Sequence, residues 1–238
     1  MAAQRGGASR VELCSALLEG GLTPSAGTIA ETERRLSIDV HVMIRPRGAD
    51  FCYTDTEFEV MQRDIDLVKR LRADGVVFGL LTADGDVDVE RTRVLVAHAR
   101  PLSVTFHRAF DMARDPLASL DRLIELGIDR LLTSAQEASA LEGVELLRTL
   151  VERAGDRLLV MPACGGLHAG AVRRVLDETG ASEVHVTGTR AIESPMRHRN
   201  PRCFMGGELR PPEFSTTVTD AERIGELVKA ARDGEGGQ

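Results

Sequence analysis

Residues 104–111 read VTFHRAFD, and the fold is best worked out from this stretch. Its first residues are β-branched and apolar, which is typical of a short buried strand. The strand ends abruptly in His107 and Arg108, and a carboxylate follows at Asp111. Such a group indicates a functional rim, because α/β folds carry their sites where strands give way to loops. The same residues would also suit a charge-balanced rim without a ligand, so both interpretations stay open.

The composition narrows the class of protein. The chain has 238 residues, of which 42% are hydrophobic and only 3% aromatic, so an aliphatic core is expected. Such a core suits a parallel sheet that is covered by helices on its faces. A net charge of −7 predicts no nucleic-acid partner, and no apolar run has the length of a membrane span. Four widely spaced cysteines without a CxxC pair predict reduced thiols and a cytoplasmic location.

Strand and helix patterns alternate about every 30 residues. This rhythm predicts a parallel sheet in a single domain over residues 1–232, followed by a disordered tail at 233–238. A long irregular stretch is expected at 188–219, before a last helix. The predicted strands are residues 10–14, 38–44, 75–81, 102–106, 129–133, 157–161 and 183–187.

Two architectures compete for this pattern, an open doubly wound sheet and a TIM-type (β/α)8 barrel. The open sheet would be favoured by GxGxxG in the first turn, and the sequence has none there. A barrel needs eight units, and residues 2–7 (AAQRGG) look like the end of a helix whose strand is missing. We therefore predict an α/β barrel without its first strand. Its two open edges need a cover, which could be a partner chain, a shifted helix or preceding sequence.

Several motifs together resemble one family over residues 6–200. They are RVELC (10–14), EGGLTPSAG (19–27), VMIRPRGADFCY (42–53), VTFHRAFD (104–111), LLTSA (131–135) and PMRHRN (195–200). These motifs are similar to those of the CutC family, whose members are described as copper homeostasis proteins with a TIM-type fold. The resemblance implies a cytosolic protein that binds Cu(I) through cysteine and forms homodimers or higher homo-oligomers.

The copper hypothesis depends on two cysteines. The resemblance implies a site that pairs a cysteine of the first barrel strand with the cysteine of RVELC. Cys14 matches the second partner, whereas the first has no counterpart, and Cys164 stands where relatives have a glycine-rich turn. Both follow strands, so we predict that they share one Cu(I), a soft ion that prefers thiolates. The alternative is two small packing residues, and Cys52 and Cys203 are weaker candidates.

An enzyme that acts on a small anionic metabolite is the alternative function. Polar side chains at the strand ends would then form one ring around a cavity. Arginines could clamp a phosphate or carboxylate, and a histidine could transfer protons near neutral pH. The predicted catalytic residues are Glu12, His107 and Asp111, and the predicted anion-binding residues are Arg45, Arg47, Arg108, Ser134, Gly165, Gly166 and His185.

Two further features belong to the same ring. A divalent metal held by Glu12, His107 and His185 is a minor alternative, because no short metal motif supports it. Residues 195–202 (PMRHRNPR) follow the last predicted strand and carry several basic side chains. They could form a lid over an anion, a solvated loop or an oligomer contact.

Overall fold

The computed structural model describes residues 1–205 and 212–233 and contains a curled parallel sheet flanked by helices. In the described part of the chain, six strands pair in sequence order, which is the order of a TIM-type barrel. These strands are β1 (Arg10–Leu13), β2 (Asp39–Met43), β3 (Gly75–Phe78), β4 (Ser103–Phe106), β5 (Arg130–Thr133) and β6 (Leu159–Pro162). The helices are α1 (Ala2–Arg5), α2 (Ala26–Arg35), α3 (Asp55–Arg70), α4 (Val89–Ala99), α5 (Pro116–Glu125), α6 (Val144–Ala154), α7 (Ala169–Thr179) and α8 (Ala221–Arg232).

Local sequence explains where the helices begin. Helix α3 starts with a capping box, in which Thr54 and Glu57 bond each other's backbone N–H groups. Helix α5 has Pro116 in its first turn, and the carboxylate of Asp115 accepts hydrogen bonds from the next N–H groups. Gly127 lies just past the end of α5 with a φ of +70°, which suits glycine.

The strands bury side chains on both faces. On the outer face, alternate residues such as Val42, Val104 and Leu131 pack into one hydrophobic cluster with the helices. Met43, Val77, Leu132 and Met161 are equally buried but stand outside that cluster. Because strand side chains alternate, these four line the inner face of the curled sheet.

The predicted seventh strand at 183–187 is reduced to a single bridge. His185 pairs with Ala163, through hydrogen bonds from His185 N to Pro162 O (3.0 Å) and from Cys164 N to His185 O (2.8 Å). This segment and β1 are therefore the two edges of an open ring. Side chains cross the gap between them, where Arg10 contacts Glu183 and Glu12 lies 3.9 Å from His185.

Helices cover the gap from outside. Helix α1 packs on α8 so closely that a Cβ on Gly6 would lie 2.6 Å from the Cβ of Ile224. At its other side, Gln4 exchanges two hydrogen bonds with Ser37, just beyond α2 (3.0 and 2.9 Å). The helix layer thus continues from α8 through α1 to α2 on the outside of the gap.

Residues 188–219 correct one prediction, because an irregular stretch was expected there. Strands β7 (Thr189–Glu193) and β8 (Ser215–Thr219) pair antiparallel, with Thr189 opposite Thr219. Their β-branched residues favour strand, but some 20 residues separate them, so no short turn motif announces the pairing. Of the predicted tail, residues 234–238 lie outside the described residues. No helix among the described residues has the length and hydropathy to cross a membrane.

Candidate functional site at the carboxyl ends of the strands

Three predicted site residues follow strands of the sheet and are buried. Arg45 comes after β2, His107 after β4 and Ser134 after β5, and they are 6%, 4% and 1% exposed. The parallel strands bring their carboxyl ends to one rim, as in other barrels. The structure therefore brings these residues to the same side of the sheet.

Asp111 organises one side of this rim. Its carboxylate accepts hydrogen bonds from the backbone N–H and hydroxyl of Ser134 and from Gln136 N, at 3.0–3.1 Å, and contacts Thr133 Oγ1. Arg108 donates to Asp111 from Nε at 2.6 Å and to the Ser134 hydroxyl at 2.8 Å. With so many partners, Asp111 holds two loops together. This geometry suits a positioning group rather than a proton-transfer group.

Arg47 is also fully engaged. Its guanidinium donates to Glu57 at 2.6 Å and to Asp50 at 3.0 Å, and it bonds the carbonyl oxygen of Cys52 at 3.0 Å. It also lies over the ring of Tyr53, at 5.1 Å from the centroid. These contacts fold residues 47–57 into a compact loop, and an anion would have to displace them in order to bind Arg47.

His107 is a neutral imidazole with a defined tautomer. Burial and the charge of Arg45 lower its pKa to about 3. Its Nδ1 accepts a hydrogen bond from Ala109 N at 3.1 Å, so the ring proton resides on Nε2. That Nε2 is buried and has no hydrogen-bond partner among the described residues. A Cβ on Gly79 would lie 2.6 Å from Nδ1, so only glycine leaves room for this ring.

Arg45 differs from the other two arginines. It donates to the carbonyl oxygens of Glu19 (2.7 Å), Gly21 (3.1 Å) and Ala49 (3.0 Å). In the described part of the chain it has no ion pair, and its buried Nε has no partner. A buried guanidinium without a carboxylate is uncommon, because a desolvated charge is normally paired.

Glu12 and His185 lie at the edges of the open ring. Both are half-buried on the inner face, with Glu12 Oε1 3.9 Å from His185 Nε2. Among the described residues, no three histidine, cysteine, aspartate or glutamate side chains are grouped so that they could hold a metal ion. The minor alternative of a divalent ion on Glu12, His107 and His185 is therefore wrong for this structure.

The two cysteines predicted to bind copper lie on different faces of the sheet. Cys164 is fully buried within the outer hydrophobic cluster, and burial raises the pKa of its thiol to about 12. Cys14 is half-buried, and its neighbours Val11 and Leu13 pack outward. Alternation places Cys14 on the inner side, where a Cβ on Gly21 would touch its Sγ at 3.2 Å. A Cu(I) site shared by the two thiols stays a prediction.

Burial also affects the protonation state of the Cys14 thiol. The pKa of its thiol rises to about 11 because of burial and the nearby carboxylate of Glu12. The same Gly21 position would touch Met43 Cε at 3.6 Å, so a thioether side chain lies beside the thiol. Cys52 and Cys203 are exposed free thiols in loops.

Gly165 and Gly166 precede α7, as predicted. Gly166 N donates to Thr187 Oγ1 at 3.1 Å, and a Cβ on Gly165 would lie 3.4 Å from the same atom. The helix itself is capped by His168, whose Nδ1 accepts from Ala171 N at 3.2 Å. A phosphate site at this turn stays a prediction.

An open depression of about 510 Å³ lies at the opposite end of the barrel. It is lined by Ser103, Asp129, Arg130 and Arg157, at the start of strands or before them. Its shallow form and its mixed charges differ from the buried polar groups of the rim at the carboxyl ends of the strands. The rim chemistry is therefore the better candidate, since barrels place their sites at the carboxyl ends of strands.

Sequence reasoning missed three residues that shape the site. Tyr53, the single tyrosine of the chain, is 5% exposed and has the Arg45 side chain as its hydrogen-bond neighbour. Met43 ends β2 and lies two residues after His41, whose side chain faces inward. Alternation along the strand could therefore have predicted that Met43 also faces inward. The sequence around Gly79 gives no signal of its role, because that role depends on the His107 ring, which follows the next strand.

The fold and the rim define this chain as a TIM-type α/β barrel protein. A model of the CutC family matches residues 1–190. The mouse protein named copper homeostasis protein cutC homolog (Mus musculus) is 49% identical over 231 residues, covering 97% of this chain and 85% of the relative. The human protein of that name (Homo sapiens) is 48% identical, covering 97% and 84%.

A crystal structure of a CutC protein from Streptococcus agalactiae gives the same result. It is 37% identical, has a TM-score of 0.71, and covers 75% of this chain and 88% of the other. The chain belongs to the CutC family. The resemblance and the barrel predicted from the sequence are therefore both confirmed.

Proposed function

We propose that this chain is a copper homeostasis protein that binds Cu(I) through Cys14. Relatives of nearly half identity carry the name copper homeostasis protein, which supports the general role. One observation supports the site: the Cys14 thiol and the Met43 side chain meet at Gly21 on the inner face of the sheet. Cu(I) is soft and prefers a thiolate and a thioether, so Met43 is a better second ligand than Cys164.

The raised pKa of Cys14 makes this binding depend on pH. The thiol has to lose its proton to bind the ion, and its pKa of about 11 leaves it protonated at neutral pH. Each bound ion therefore releases about one proton. Affinity is expected to rise about tenfold per pH unit over the range below that pKa.

An anaerobic titration of Cu(I) against a competing chelator at several pH values tests this site. Cys14→Ser should abolish tight binding, and Met43→Leu should weaken it while keeping the volume of the core. Cys164→Ser and Met61→Leu are matched controls, because both residues face the outer cluster and should leave binding unchanged. Loss of binding in Cys164→Ser, or an affinity that does not change with pH, would contradict the Cys14 site.

We also propose a cytoplasmic location and a homo-oligomeric state for this protein. A cytoplasmic location is supported by four free cysteines, which suit a reducing compartment. A homodimer or higher homo-oligomer is supported by exposed apolar side chains such as Met196 and Met205. Light scattering behind size-exclusion chromatography measures the oligomer, and a monomeric mass at all concentrations would reject it.

A second candidate function is an enzyme that acts on a small anionic metabolite. The observation that favours it is the buried guanidinium of Arg45, which lacks a carboxylate partner in the described part of the chain. His107 would serve it as a hydrogen-bond donor rather than as a base, because its pKa is held near 3. Incubation with carboxylated and phosphorylated metabolites, followed by mass spectrometry, tests for turnover. Glu12→Gln is the comparison, since Glu12 is the carboxylate nearest His185 at the gap.

A further inference from the structure

Three buried polar atoms with unused hydrogen-bonding capacity lie at one guanidinium. Arg45 Nε and His107 Nε2 are buried without a partner among the described residues, and the buried Tyr53 hydroxyl has the Arg45 side chain as its hydrogen-bond neighbour. Their side chains are 6%, 4% and 5% exposed, so bulk water does not satisfy them. A buried polar group with unused hydrogen-bonding capacity is destabilising, and such groups usually mark a bound water or ligand.

Two of the three side chains, Arg45 and His107, pack against one wall, the ring of Phe51. The Arg45 guanidinium lies over this ring at 5.0 Å from its centroid, and the His107 ring lies against it with a centroid separation of 5.1 Å. Arg45 also acts on Tyr53, since its charge and a hydrogen bond between the two side chains oppose the rise in the tyrosine pKa that burial causes. Arg45 thus links Tyr53 and His107 into one group beside the loop of residues 45–53.

All three atoms can act as hydrogen-bond donors. Arg45 Nε is a donor, and His107 Nε2 is also a donor because Nδ1 already accepts from Ala109 N. The Tyr53 hydroxyl can donate the third hydrogen bond. A single water accepts two hydrogen bonds and leaves the guanidinium charge uncompensated, whereas a carboxylate accepts several and neutralises the charge.

We propose that Arg45, Tyr53 and His107 form a binding chamber for one small carboxylate. The inference deepens the second candidate function and rests on it for its purpose, because it names the chemical group of the anion that the rim would take. Carboxylate binding at this place does not require that a chemical reaction follows. Since the three residues are almost completely buried, the expected ligand is a carboxylate as small as formate or acetate, or the carboxylate end of a larger molecule.

The chamber is closed by the loop at residues 15–22. Arg45 holds this loop through the carbonyl oxygens of Glu19 and Gly21, and Ser15 and Leu22 pair across its base. Leu17 and Leu18 at its tip are exposed, so little apolar burial holds the tip in place. A carboxylate would enter when this loop lifts, and entry would exchange carbonyl partners of Arg45 for an ionic one.

Titration of the full chain with acetate, followed by NMR of the histidine ring signals, tests the proposal. Saturable binding that shifts the His107 Nε2–H resonance is expected in the parent. Tyr53→Phe keeps the ring and removes one donor to a charged acceptor, so it should weaken acetate about tenfold. Arg122→Gln is the matched control, because Arg122 pairs with Glu125 on the exposed side of α5 and should leave acetate binding unchanged.

Each outcome decides the question. No saturable shift with acetate or formate, or binding that Tyr53→Phe leaves intact, would overturn the chamber. Acetate binding that Arg108→Gln abolishes and Tyr53→Phe leaves intact would move the anion to the outer rim and overturn the chamber as well. Acetate binding without turnover of any metabolite would support the chamber and reject the enzyme, so the two ideas fail separately.

Discussion

His107 shows how a residue that looks catalytic in sequence acquires a different chemistry on burial. At a strand end it suggested a general base, yet the ring is packed against Gly79 and Phe51 with one fixed tautomer. Desolvation disfavours its cationic form more strongly than the Asp111 carboxylate favours it. The residue type and place could be predicted, whereas its protonation state depends on neighbours from other strands.

This protonation state predicts acid sensitivity. The folded pKa of His107, about 3, lies below the ordinary 6.5, so between these values the unfolded chain binds a proton that the folded chain does not. The stability is fully present above pH 6.5 and is lost as the pH falls towards 3. His107→Gln should reduce the slope of unfolding free energy against pH by about 1.4 kcal/mol per unit in that window.

Denaturant unfolding at several pH values measures these slopes. His41, whose pKa burial lowers to about 4, contributes in the same direction and remains in the variant as an internal reference. Equal slopes for the parent and the variant would show that His107 titrates normally in the folded protein.

Helix α1 has only four residues, yet it occupies an important position in the helix layer. It lies between α8 and the end of α2, on the outside of the gap in the strand ring. An uncovered gap would leave two sheet edges with unpaired backbone groups. The short helix therefore completes the helix layer where the strand layer is incomplete.

The contact of Gly6 with α8 gives a test of this role. Gly6→Ala would place a Cβ 2.6 Å from Ile224 Cβ and 2.7 Å from the Ala221 carbonyl oxygen. We expect a loss of about 1–3 kcal/mol in unfolding free energy and faster amide hydrogen exchange in α1. Gly27→Ala in α2 meets only Ser25 Oγ, at 4.0 Å, and should be neutral or slightly stabilising. Unchanged exchange in α1 would mean that this helix does not seal the gap.

At the scale of the whole molecule, charged side chains close the inner side of the same gap. Glu183 accepts hydrogen bonds from Arg130 at 3.0 and 3.2 Å and contacts Arg10 of β1. These arginines together lower the pKa of Glu183 despite its partial burial. One carboxylate therefore joins the first and fifth strands to the segment that ends the ring.

Removing that charge should loosen the whole barrel. Glu183→Gln leaves two part-buried arginines with a weaker acceptor, and we expect a loss of about 1–3 kcal/mol by thermal or denaturant unfolding. Glu125→Gln is the matched control, because its pair with Arg122 is largely exposed and should contribute little. Equal stability of both variants would show that the gap is closed by the helices alone.

The sequence by itself determined the parts of this protein that depend on local order. Strand and helix periodicity predicted six of the strands, the α5 boundaries and the barrel class. The motif at residues 104–111 placed the rim correctly. These features are local, since each depends on residues close together in the chain.

Only the tertiary structure decided which face each side chain occupies and which charges remain unpaired. Parallel strands are apolar on both faces, so the pattern could not separate inward Met43 from outward Val42, or Cys14 from Cys164. The curl of the sheet, the gap beside β1 and the Arg45 guanidinium that has only carbonyl partners arise from contacts between distant segments. Such contacts leave no local periodicity, which is why the chamber and the cover of the gap could be found only in three dimensions.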